Sequence, residues 1–470
     1  MIATVMRKEL LTTLRDGRLL VLGLSLLALF AAFFLLSTHQ LQAQRLEKQR
    51  VGATAKEQWN SQSVKNPHSA AHYGIYVFKP DLPAAAIDQG LTPFTGQSLW
   101  LEPHKRNLTR FNPSADDVLA NRFGQAGSSF VLYALLPLLI VALSFNSVSQ
   151  ERERGTLRML HSLGVTPLAL LFGKLSGLLA AFWLVMSPAV LLAALTLACQ
   201  FDLTADDLMR LSLLLVGLVA YYTIFAALSI AASAYFRTSR NTLFCLLGFW
   251  MGSVFVAPRL GAVIGDVVAP NPSASEFWDA IKTDIAQGLS GEGNKQQREK
   301  AFEAQVLAQY GVAGKEQLPV GFVSLNRQFN DTYSSKVHQL HFDRLRDNFA
   351  KQQQLAQLAG WLGPSLALRS LSMAIAGTDL AHQRDFEDAA EDYRRYFIDL
   401  TEEWDRERSR GTERSAKAEE TDWRSVRDFA YTVPTVGYSL RASLLSLSLL
   451  SAWLCAALWL LAQSARRLQP

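Results

Sequence analysis

Cysteine and charged residues are both scarce in this chain of 470 residues. Its three cysteines, Cys199, Cys245 and Cys455, lie in or beside apolar runs, so neither a disulfide framework nor a zinc ribbon can be built from them. Charged residues make up 19% of the sequence, whereas hydrophobic residues make up 49%. This composition is too apolar for an ordinary soluble protein and too charged for a chain buried wholly in lipid, so it favours a protein divided between membrane and water.

A phosphate-binding loop is also missing from the sequence. ATP chemistry needs a glycine-rich loop that leads into a helix, with a lysine and a hydroxyl residue for phosphate and magnesium. The nearest approach, Gly-Val-Ala-Gly-Lys-Glu at 311–316, has the wrong glycine spacing and places Glu316 where the hydroxyl is needed. Neither His-Glu-x-x-His nor Gly-x-Ser-x-Gly occurs, so a hydrolase has little support. We predict no catalytic residue, no metal site and no cofactor in this chain.

Six apolar segments are long enough as helices to cross a bilayer core of about 30 Å. The first is too long for the apolar part of a signal peptide, and no small-residue cleavage site follows it directly. Pro137 and Pro188 lie inside two later segments, which argues against soluble helices but is tolerated in membrane spans. The predicted spans are 19–37, 128–147, 175–197, 211–235, 242–265 and 444–462.

Lysine and arginine cluster in alternate loops between these segments. Arg237 lies in the turn after the fourth segment, and Arg466 and Arg467 lie in the tail after the sixth. The loop between the third and fourth segments holds three aspartates instead. All the basic loops lie on one side of the membrane if both termini are cytoplasmic. The polar segments 38–127 and 266–443 are then expected outside.

The two outer segments differ in their residue patterns. In the first, residues 68–78 and 91–101 contain possible strands interrupted by prolines, which predicts a compact mixed cap. In the second, apolar residues from Leu325 onward recur mostly every three to five positions and form one stripe of a long helix. Residues 360–364 break this helix. A second apolar stripe over 386–404 then predicts an antiparallel helical hairpin.

The most informative stretch lies between the second and third predicted spans, and we call residues 150–164 the elbow. It is rich in charge, with the run Glu-Arg-Glu-Arg-Gly-Thr near its start, so it must lie at or below the cytoplasmic surface of the membrane. Leu157, Leu160 and Leu163 fall on one side of a short helix, and we expect the charged residues before them to stay in water. Such a helix can dock into a groove of a soluble partner. An ordinary charged loop is the alternative.

Motifs in and around the elbow resemble those of a known family. They are Glu151-x-Glu153-x-Gly155-Thr156-Leu157, Thr166-Pro167 and Gly173-Lys174. They look like the cytoplasmic loop of ABC-2 type permeases, in which this loop is the coupling helix that docks into the ATP-binding subunit. The six-span plan, with the loop between spans two and three, is that family's plan. The resemblance implies an ATPase-coupling role for Glu151, Arg152, Glu153, Gly155, Thr156, Leu157 and Leu160.

The resemblance extends to two further parts of the chain, the N-terminal segment and the segment before the last span. The N-terminal motifs Arg7-Lys8-Glu9-Leu10 and Arg15-Asp16-Gly17-Arg18 resemble the family's amphipathic helix along the inner membrane surface. This implies a surface role for Arg7, Lys8, Glu9, Arg15 and Arg18. Before the last span, residues 376–382, Phe386 and Tyr393-Arg394 resemble a bacterial subgroup with a large helical insertion outside the membrane. For that insertion we expect contacts with a periplasmic partner or substrate at Gly377, Thr378, Asp379, His382, Tyr393 and Arg394.

Several candidates have a structural alternative. An N-cap at Thr378 or Asp379 explains why Asp379 and His382 lie three residues apart at the start of a helix, without any partner. His338 and His341, one turn apart with Asp331 two turns away, have a spacing that could hold a metal, but a third well-placed ligand is not evident, so a solvated or capping role is favoured. Arg259 in the fifth segment is expected to snorkel to the outer interface rather than contact a substrate.

The resemblance and the residue patterns predict one overall organisation. The fold class is an all-α polytopic membrane protein with six transmembrane helices, a mainly helical extracytoplasmic domain and a smaller mixed extracytoplasmic segment. The divisions are 1–37 for the amphipathic helix and first span, 38–127 for the first outer segment, 128–265 for spans two to five with the elbow, 266–443 for the helical outer domain, and 444–470 for the last span and tail.

The resemblance implies the permease subunit of an ABC-2 type transporter in a bacterial inner membrane, which exports or extracts a substrate. ATP and Mg²⁺ would bind to a separate ATP-binding subunit. Further expected partners are a second permease copy or a related permease, the lipid bilayer and a periplasmic protein, but no nucleic acid. A membrane scaffold or sensor is the alternative, although one or two spans would suffice for anchoring. An intramembrane enzyme has less support, because no pair of ionisable residues lies at mid-bilayer.

Overall fold

The structure is a computed structural model that describes residues 1–109 and 127–468. Within these residues, six helices are long and apolar enough to cross a membrane, and each contains one of the six predicted segments. We number them spans one to six: Gly17–Asn60, Ser128–Glu153, Pro167–Gln200, Ala205–Tyr235, Ser239–Val268 and Leu444–Arg467. The predicted all-α polytopic fold is confirmed.

Two spans contain a wide helical turn just before a proline. Span two passes through a π-helical turn at Val131–Leu135 shortly before Pro137, and span five does so at Gly252–Val256 before Pro258. Proline has no N–H for the carbonyl one turn earlier, so the helix must deviate locally. The remaining helical parts are Ser128–Phe130, Leu136–Ser144 and Ser149–Glu153 in span two, and Ser239–Met251 and Ala257–Val268 in span five.

Span four lies at the centre of the bundle. Its Tyr221 and Tyr222 are fully buried, and their hydroxyl groups donate to backbone carbonyls of span two at Tyr133 (2.7 Å) and Leu132 (3.0 Å). The next two turns consist largely of small buried residues, which allow neighbouring helices to approach closely. These are Ala226, Ala227, Ser229, Ala231, Ser233 and Ala234.

The elements outside the spans are mostly helices. The helices are Ile2–Arg15, Pro67–Ala71, Thr92–Thr95, Thr156–Ser162, Ala274–Gln287, Lys295–Tyr310, Phe322–Leu358, Pro364–Ala376, Leu380–Arg408, Glu420–Ser425 and Val436–Ala442. Short 3₁₀ turns occur at Pro83–Ala86, Lys315–Gln317 and Ala359–Leu362. In the described residues, the strands are β1 (Ile75–Phe78) and β2 (Ser98–Leu101).

The first outer segment is a mixed cap, as predicted. Strands β1 and β2 pair antiparallel, with Ile75 opposite Leu101. The pattern did not reveal that residues from Pro67 onward first form a short helix, capped by Asn66. The helix of span one continues to Asn60, so the predicted division after residue 37 is not a structural boundary. Residues 110–126 of the predicted segment lie outside the described residues.

The predicted helical hairpin is confirmed in the second outer segment. Helix Phe322–Leu358, the long outer helix, runs antiparallel to Leu380–Arg408, the return helix. The Ser324 hydroxyl donates to Glu402 (2.9 Å) near one end of the pair, and Arg346 donates to Glu387 (3.5 Å) near the other. The cap strands pack on the return helix through an apolar cluster that includes Val77, Leu99, Leu101, Phe386, Ala390 and Tyr393.

One helix of the segment 266–443 packs inside the bundle, which the predicted division of the chain did not show. Helix Pro364–Ala376, the re-entrant helix, packs within the same apolar core as the spans. Its Ser365 hydroxyl lies 2.7 Å from the Tyr221 hydroxyl and 2.8 Å from the Ser253 hydroxyl. A Cβ on Gly363 would lie 2.4 Å from Cβ of Ser253, so glycine permits this approach. At about 20 Å the helix is too short to span a bilayer, which is why length alone did not single it out.

Candidate functional site

The elbow consists of two short helices that meet at a glycine. Ser149–Glu153 ends two residues before Gly155, and Thr156–Ser162 begins directly after it. Gly155 has φ = 73°, in the left-handed region that disfavours residues with a Cβ. No neighbouring atom lies within 4 Å of a Cβ built on it. The backbone turn, rather than crowding, therefore favours glycine at this position.

Lys174 joins the elbow to the third span and to the N-terminal helix. Its side-chain nitrogen lies 2.9 Å from Glu151 and 3.2 Å from Glu9, and the residue is only 2% exposed. Lys8 adds a second positive charge 3.6 Å from Glu151. We call these four residues the ionic junction. Because burying a charge without a partner is costly, the junction holds its three backbone segments together. The expectation that Glu151 stays in water is wrong, since it is half-buried and paired.

The N-terminal helix lies against span three at two glycines one turn apart. A Cβ on Gly173 would lie 2.6 Å from Cβ of Val5, and a Cβ on Gly177 would lie 2.7 Å from the carbonyl oxygen of Met6. Neither position accepts a larger residue without moving the helix. The contact brings the carboxylate of Glu9 to Lys174.

The basic residues of the N-terminal segment are exposed beside that contact, and Lys8 among them also reaches Glu151. Arg7, Lys8 and Arg15 are exposed. Arg18 pairs with Asp16 at 2.5 Å and donates to the carbonyl of Ala142 in span two at 3.2 Å. Exposed cations beside apolar spans suit a helix at a membrane surface, as the sequence predicts.

Arg152 and Glu153 connect the elbow to the turn between spans four and five. The Arg152 guanidinium donates to the carbonyls of Ala234 (2.8 Å) and Phe236 (2.7 Å), where span four ends. The Glu153 carboxylate accepts from the backbone N–H of Ser239 (2.7 Å), where span five begins. A cation at a helix C-terminus and an anion at an N-terminus both complement unpaired backbone groups. The expectation that Arg152 stays in water is therefore also wrong.

The predicted single apolar face of the elbow is wrong. Leu157 is 1% exposed and packs into the core of the spans, and Leu160 is partly buried against it. Leu163 points the other way and is 72% exposed, as is Met159 at 57%. Leu163 follows the last helical residue, Ser162, as the C-cap, so the helical spacing assumed for the three leucines does not extend to it. The exposed surface comprises Arg154, Thr156, Arg158, Met159 and Leu163, and we call it the exposed face of the elbow.

The residues proposed for a periplasmic contact are all buried. Asp379 is the N-cap of the return helix, as the alternative predicts, and accepts from the His382 N–H at 3.0 Å. The His382 ring lies 3.1 Å from the Ser439 hydroxyl, which also accepts from Arg210 of span four at 2.8 Å. This Asp-His-Ser order resembles a hydrolase triad, but Ser439 is buried and occupied by Arg210. The chain of contacts instead ties the outer domain to span four.

The other members of that set have internal partners too. Gly377 ends the re-entrant helix with φ = 69°, and the Thr378 hydroxyl donates to the carbonyl of Asp88 at 3.2 Å. The Tyr393 hydroxyl donates to the carbonyl of Arg427 at 2.6 Å. Arg394 forms a buried two-bond contact with Glu391, at 2.8 Å for each bond. A direct contact with a partner would need exposure that these side chains lack, so the structure assigns them to packing.

Electrostatics support that assignment for Glu391. Burial by itself would raise the pKa of Glu391, but the hydrogen bonds and positive charge of Arg394 hold that pKa below its usual value.

His338 and His341 do not share a ligand position. His338 is buried and bonded to the carbonyl of Ser334 (2.8 Å), and His341 lies 2.7 Å from Asp284. Neither is solvated, because each has its own hydrogen-bond partner.

Comparisons with known proteins agree with this architecture. A bundle of six helices long and apolar enough to cross a membrane, with a charged elbow against its end, defines a multi-pass membrane protein. Residues 97–276 match the family model described as ABC-2 family transporter protein, and residues 274–432 match Domain of unknown function (DUF3526). A comparison with curated proteins found no match. The chain fits an ABC-2 type permease, and the predicted resemblance is confirmed.

The family match also supports one kind of subunit. It supports a permease subunit of an ABC transporter, which is a membrane transport component rather than a catalytic ATPase. It implies an ABC ATP-binding partner and membrane lipid around the chain. The first match contains spans two to five and the elbow, and the second contains the hairpin of the outer domain.

Proposed function

We propose that this chain is the membrane-spanning subunit of an ATP-driven exporter or extractor in a bacterial inner membrane, and that a separate ATP-binding subunit drives it through the elbow. Both termini lie in the cytoplasm in this proposal, together with the elbow. A second copy, or a related permease, completes the pathway. ATP and Mg²⁺ act on the partner subunit. The family match supports the permease role, and the resemblance of the elbow supports the coupling role.

The ionic junction is the observation that carries the coupling proposal. A force on the exposed face of the elbow reaches span three through Glu151 and Lys174 (2.9 Å). It reaches spans four and five through Arg152 and Glu153, which bond the ends of both helices. An ordinary charged loop would need none of these links. The elbow can therefore move three spans together rather than bend alone.

In this proposal, the residues that bind the ATP-binding subunit differ from those that transmit its motion to the spans. The exposed face offers two apolar side chains, Met159 and Leu163, flanked by Arg154 and Arg158. Exposed apolar side chains with charged neighbours suit a groove on a soluble partner. The ionic junction lies behind this face and has no exposed apolar surface to offer. Changes to the two groups should therefore give different defects.

The experiment co-expresses the chain with its candidate ATP-binding subunit, and measures co-purification and ATPase stimulation in lipid nanodiscs. We expect the double variant Met159→Asp/Leu163→Asp to weaken association about tenfold or more, because it puts charge into an apolar contact. We expect Glu151→Gln to retain association but to lower ATPase stimulation. Tyr310→Asp changes an exposed apolar residue of the outer domain and is the matched control. Wild-type association and stimulation in both elbow variants would refute the proposal.

A further inference from the structure

Three histidines meet on the outer domain, far from the elbow. His68 and His72 are one helical turn apart on and just after the helix Pro67–Ala71, and His104 follows strand β2. Their ring centroids are 4.7, 5.1 and 5.3 Å apart. One ring nitrogen of each lies within 4.8 Å of the other two, and Nε2 of His68 is 3.1 Å from Nε2 of His72.

Two carboxylates form hydrogen bonds with the rings of His68 and His104. Nδ1 of His68 lies 2.6 Å from Glu402, and Nδ1 of His104 lies 2.7 Å from Asp331. An ionised carboxylate only accepts hydrogen bonds, so Nδ1 carries the proton in each neutral ring. The lone pair then remains on Nε2. This carboxylate–histidine arrangement is the one that orients histidines toward a bound metal.

The supporting residues come from both arms of the helical hairpin. Glu402 lies on the return helix, is buried, and also accepts from Arg327 at 3.1 Å. Asp331 lies on the long outer helix, and Ser334 one turn later donates to the backbone carbonyl of His104 at 3.2 Å.

The backbone of His104 is itself held in an uncommon conformation. Its φ of 70° is the one positive value at a non-glycine residue in the described part of the chain. Such a conformation persists where surrounding contacts fix it, and these include the bonds from Asp331 and Ser334. The ring is therefore positioned before any ligand arrives.

We propose that His68, His72 and His104 bind a divalent late transition-metal ion, Zn²⁺ or Cu²⁺, through their ring nitrogens. Metal–nitrogen bonds of about 2.0–2.1 Å place tetrahedral ligands about 3.3 Å apart, which small ring rotations reach from the observed spacing. Calcium and magnesium are disfavoured because they prefer oxygen ligands. His72 and His104 are exposed, so an ion can reach the site from solvent. Three protein ligands leave a fourth position open.

A bound ion would connect parts of the chain that are distant in sequence. It would tie the helix of His68 to the loop of His104, and both are already bonded to the two hairpin arms. The metal ion would then cross-link the mixed cap at one point, where the cap already contacts the helical domain. This inference does not depend on the transport function, because it concerns the outer domain alone.

The test uses the full-length protein in detergent, with any polyhistidine tag removed and bound metal stripped by a chelator. Zn²⁺ is titrated by calorimetry, and Co²⁺ is used as a visible probe of tetrahedral coordination. We expect one tight Zn²⁺ per chain, weakened at least about tenfold in both His72→Ala and His104→Ala. The matched control is His39→Ala, an exposed histidine on the helix of span one. It should bind as the wild type does.

A positioning variant separates this site from loose surface binding. Asp331→Asn keeps all three histidines, so adventitious binding would be unchanged, whereas an oriented site should lose about 10–100-fold in affinity and change the Co²⁺ spectrum. Circular dichroism without metal checks that each variant is folded. Wild-type affinity in His72→Ala and His104→Ala, or affinity equally low in all proteins, would overturn the proposal.

Discussion

The carboxylate of Glu151 lies 2.9 Å from the ammonium group of Lys174, and this contact joins the elbow to the third span. The pair is enclosed, because only 3% of the lysine side chain and 15% of the glutamate side chain are exposed. Such a pair is costly to break from one side, since the remaining charge stays buried. The contact therefore makes the elbow part of the bundle rather than a tether between two spans.

A double-mutant cycle tests this contact. We expect Glu151→Gln alone to destabilise the protein by about 1–3 kcal/mol, and Lys174→Met alone to do the same, because each removes one partner of a buried charge while Glu9 or Lys8 remains as the second. The double variant should lose less than the sum of the two. Unfolding in detergent, followed by tryptophan fluorescence, gives these values. Additive losses would mean that the two side chains act independently.

Gly155 offers a test of the elbow's shape. Its left-handed φ of 73° is tolerated by asparagine and strongly disfavoured for β-branched residues. We expect Gly155→Asn to keep ATPase stimulation near the wild-type level and Gly155→Val to lower it severalfold. Space is not limiting at this position, so the two variants differ mainly in backbone preference. Equal activity of the two variants would argue that the kink has no role in coupling.

The sequence predicts the parts of this molecule that depend on one element at a time. Six apolar runs of sufficient length give the spans, and the stripe from Leu325 gives the long outer helix. The re-entrant helix was missed because its 13 residues are too few to cross a membrane, so the length criterion did not select it. Its position depends instead on contacts such as Ser365 with Tyr221. Those residues are distant in sequence, so no local pattern reports their contact.

The same limit applies to the functional residues, since a sequence pattern reveals single elements but not the contacts between them. The motifs named Glu151, Glu153 and Lys174, but the pairing of Glu151 with Lys174 and of Glu153 with Ser239 appears only in the folded protein. The three-histidine cluster was also missed. His68 and His72 have helical spacing, yet the third ligand lies beyond two strands, and the histidines weighed as metal ligands from the sequence, and not favoured, were His338 and His341. The i, i+4 pair at 68 and 72 was the available signal.

The packing of the N-terminal helix can be tested at Gly177. A Cβ there would lie 2.7 Å from both Cβ of Glu9 and the carbonyl of Met6, so Gly177→Ala should push the helix away from span three. We expect weaker protection of the N-terminal helix in hydrogen exchange and lower ATPase stimulation. Gly248→Ala in span five meets no atom within 4 Å and is the matched control. Similar exchange in both variants would contradict the close approach.

The outer domain should show a pH dependence that comes from Lys79. This lysine is buried, and burial lowers its pKa from 10.5 to about 8 even though Asp379, Asp81 and Glu387 oppose the shift. Lys48 lies nearby and favours the lowering. Below pH 8 the lysine is charged in both the folded and the unfolded chain, so its burial opposes folding by a constant amount.

Between pH 8 and about 10.5 the unfolded chain binds more protons at this site than the folded one, so the contribution of Lys79 to stability rises with pH. The full rise corresponds to about 3 kcal/mol for a shift of this size. Lys79→Met lacks the titration, so it should be the more stable protein at pH 7, and its advantage over the wild type should shrink as the pH rises to 10. Fluorescence-detected unfolding at a series of pH values measures this difference. Parallel stability profiles for the two proteins would mean that Lys79 keeps an ordinary pKa, and that solvent reaches its ammonium group beside Gln383.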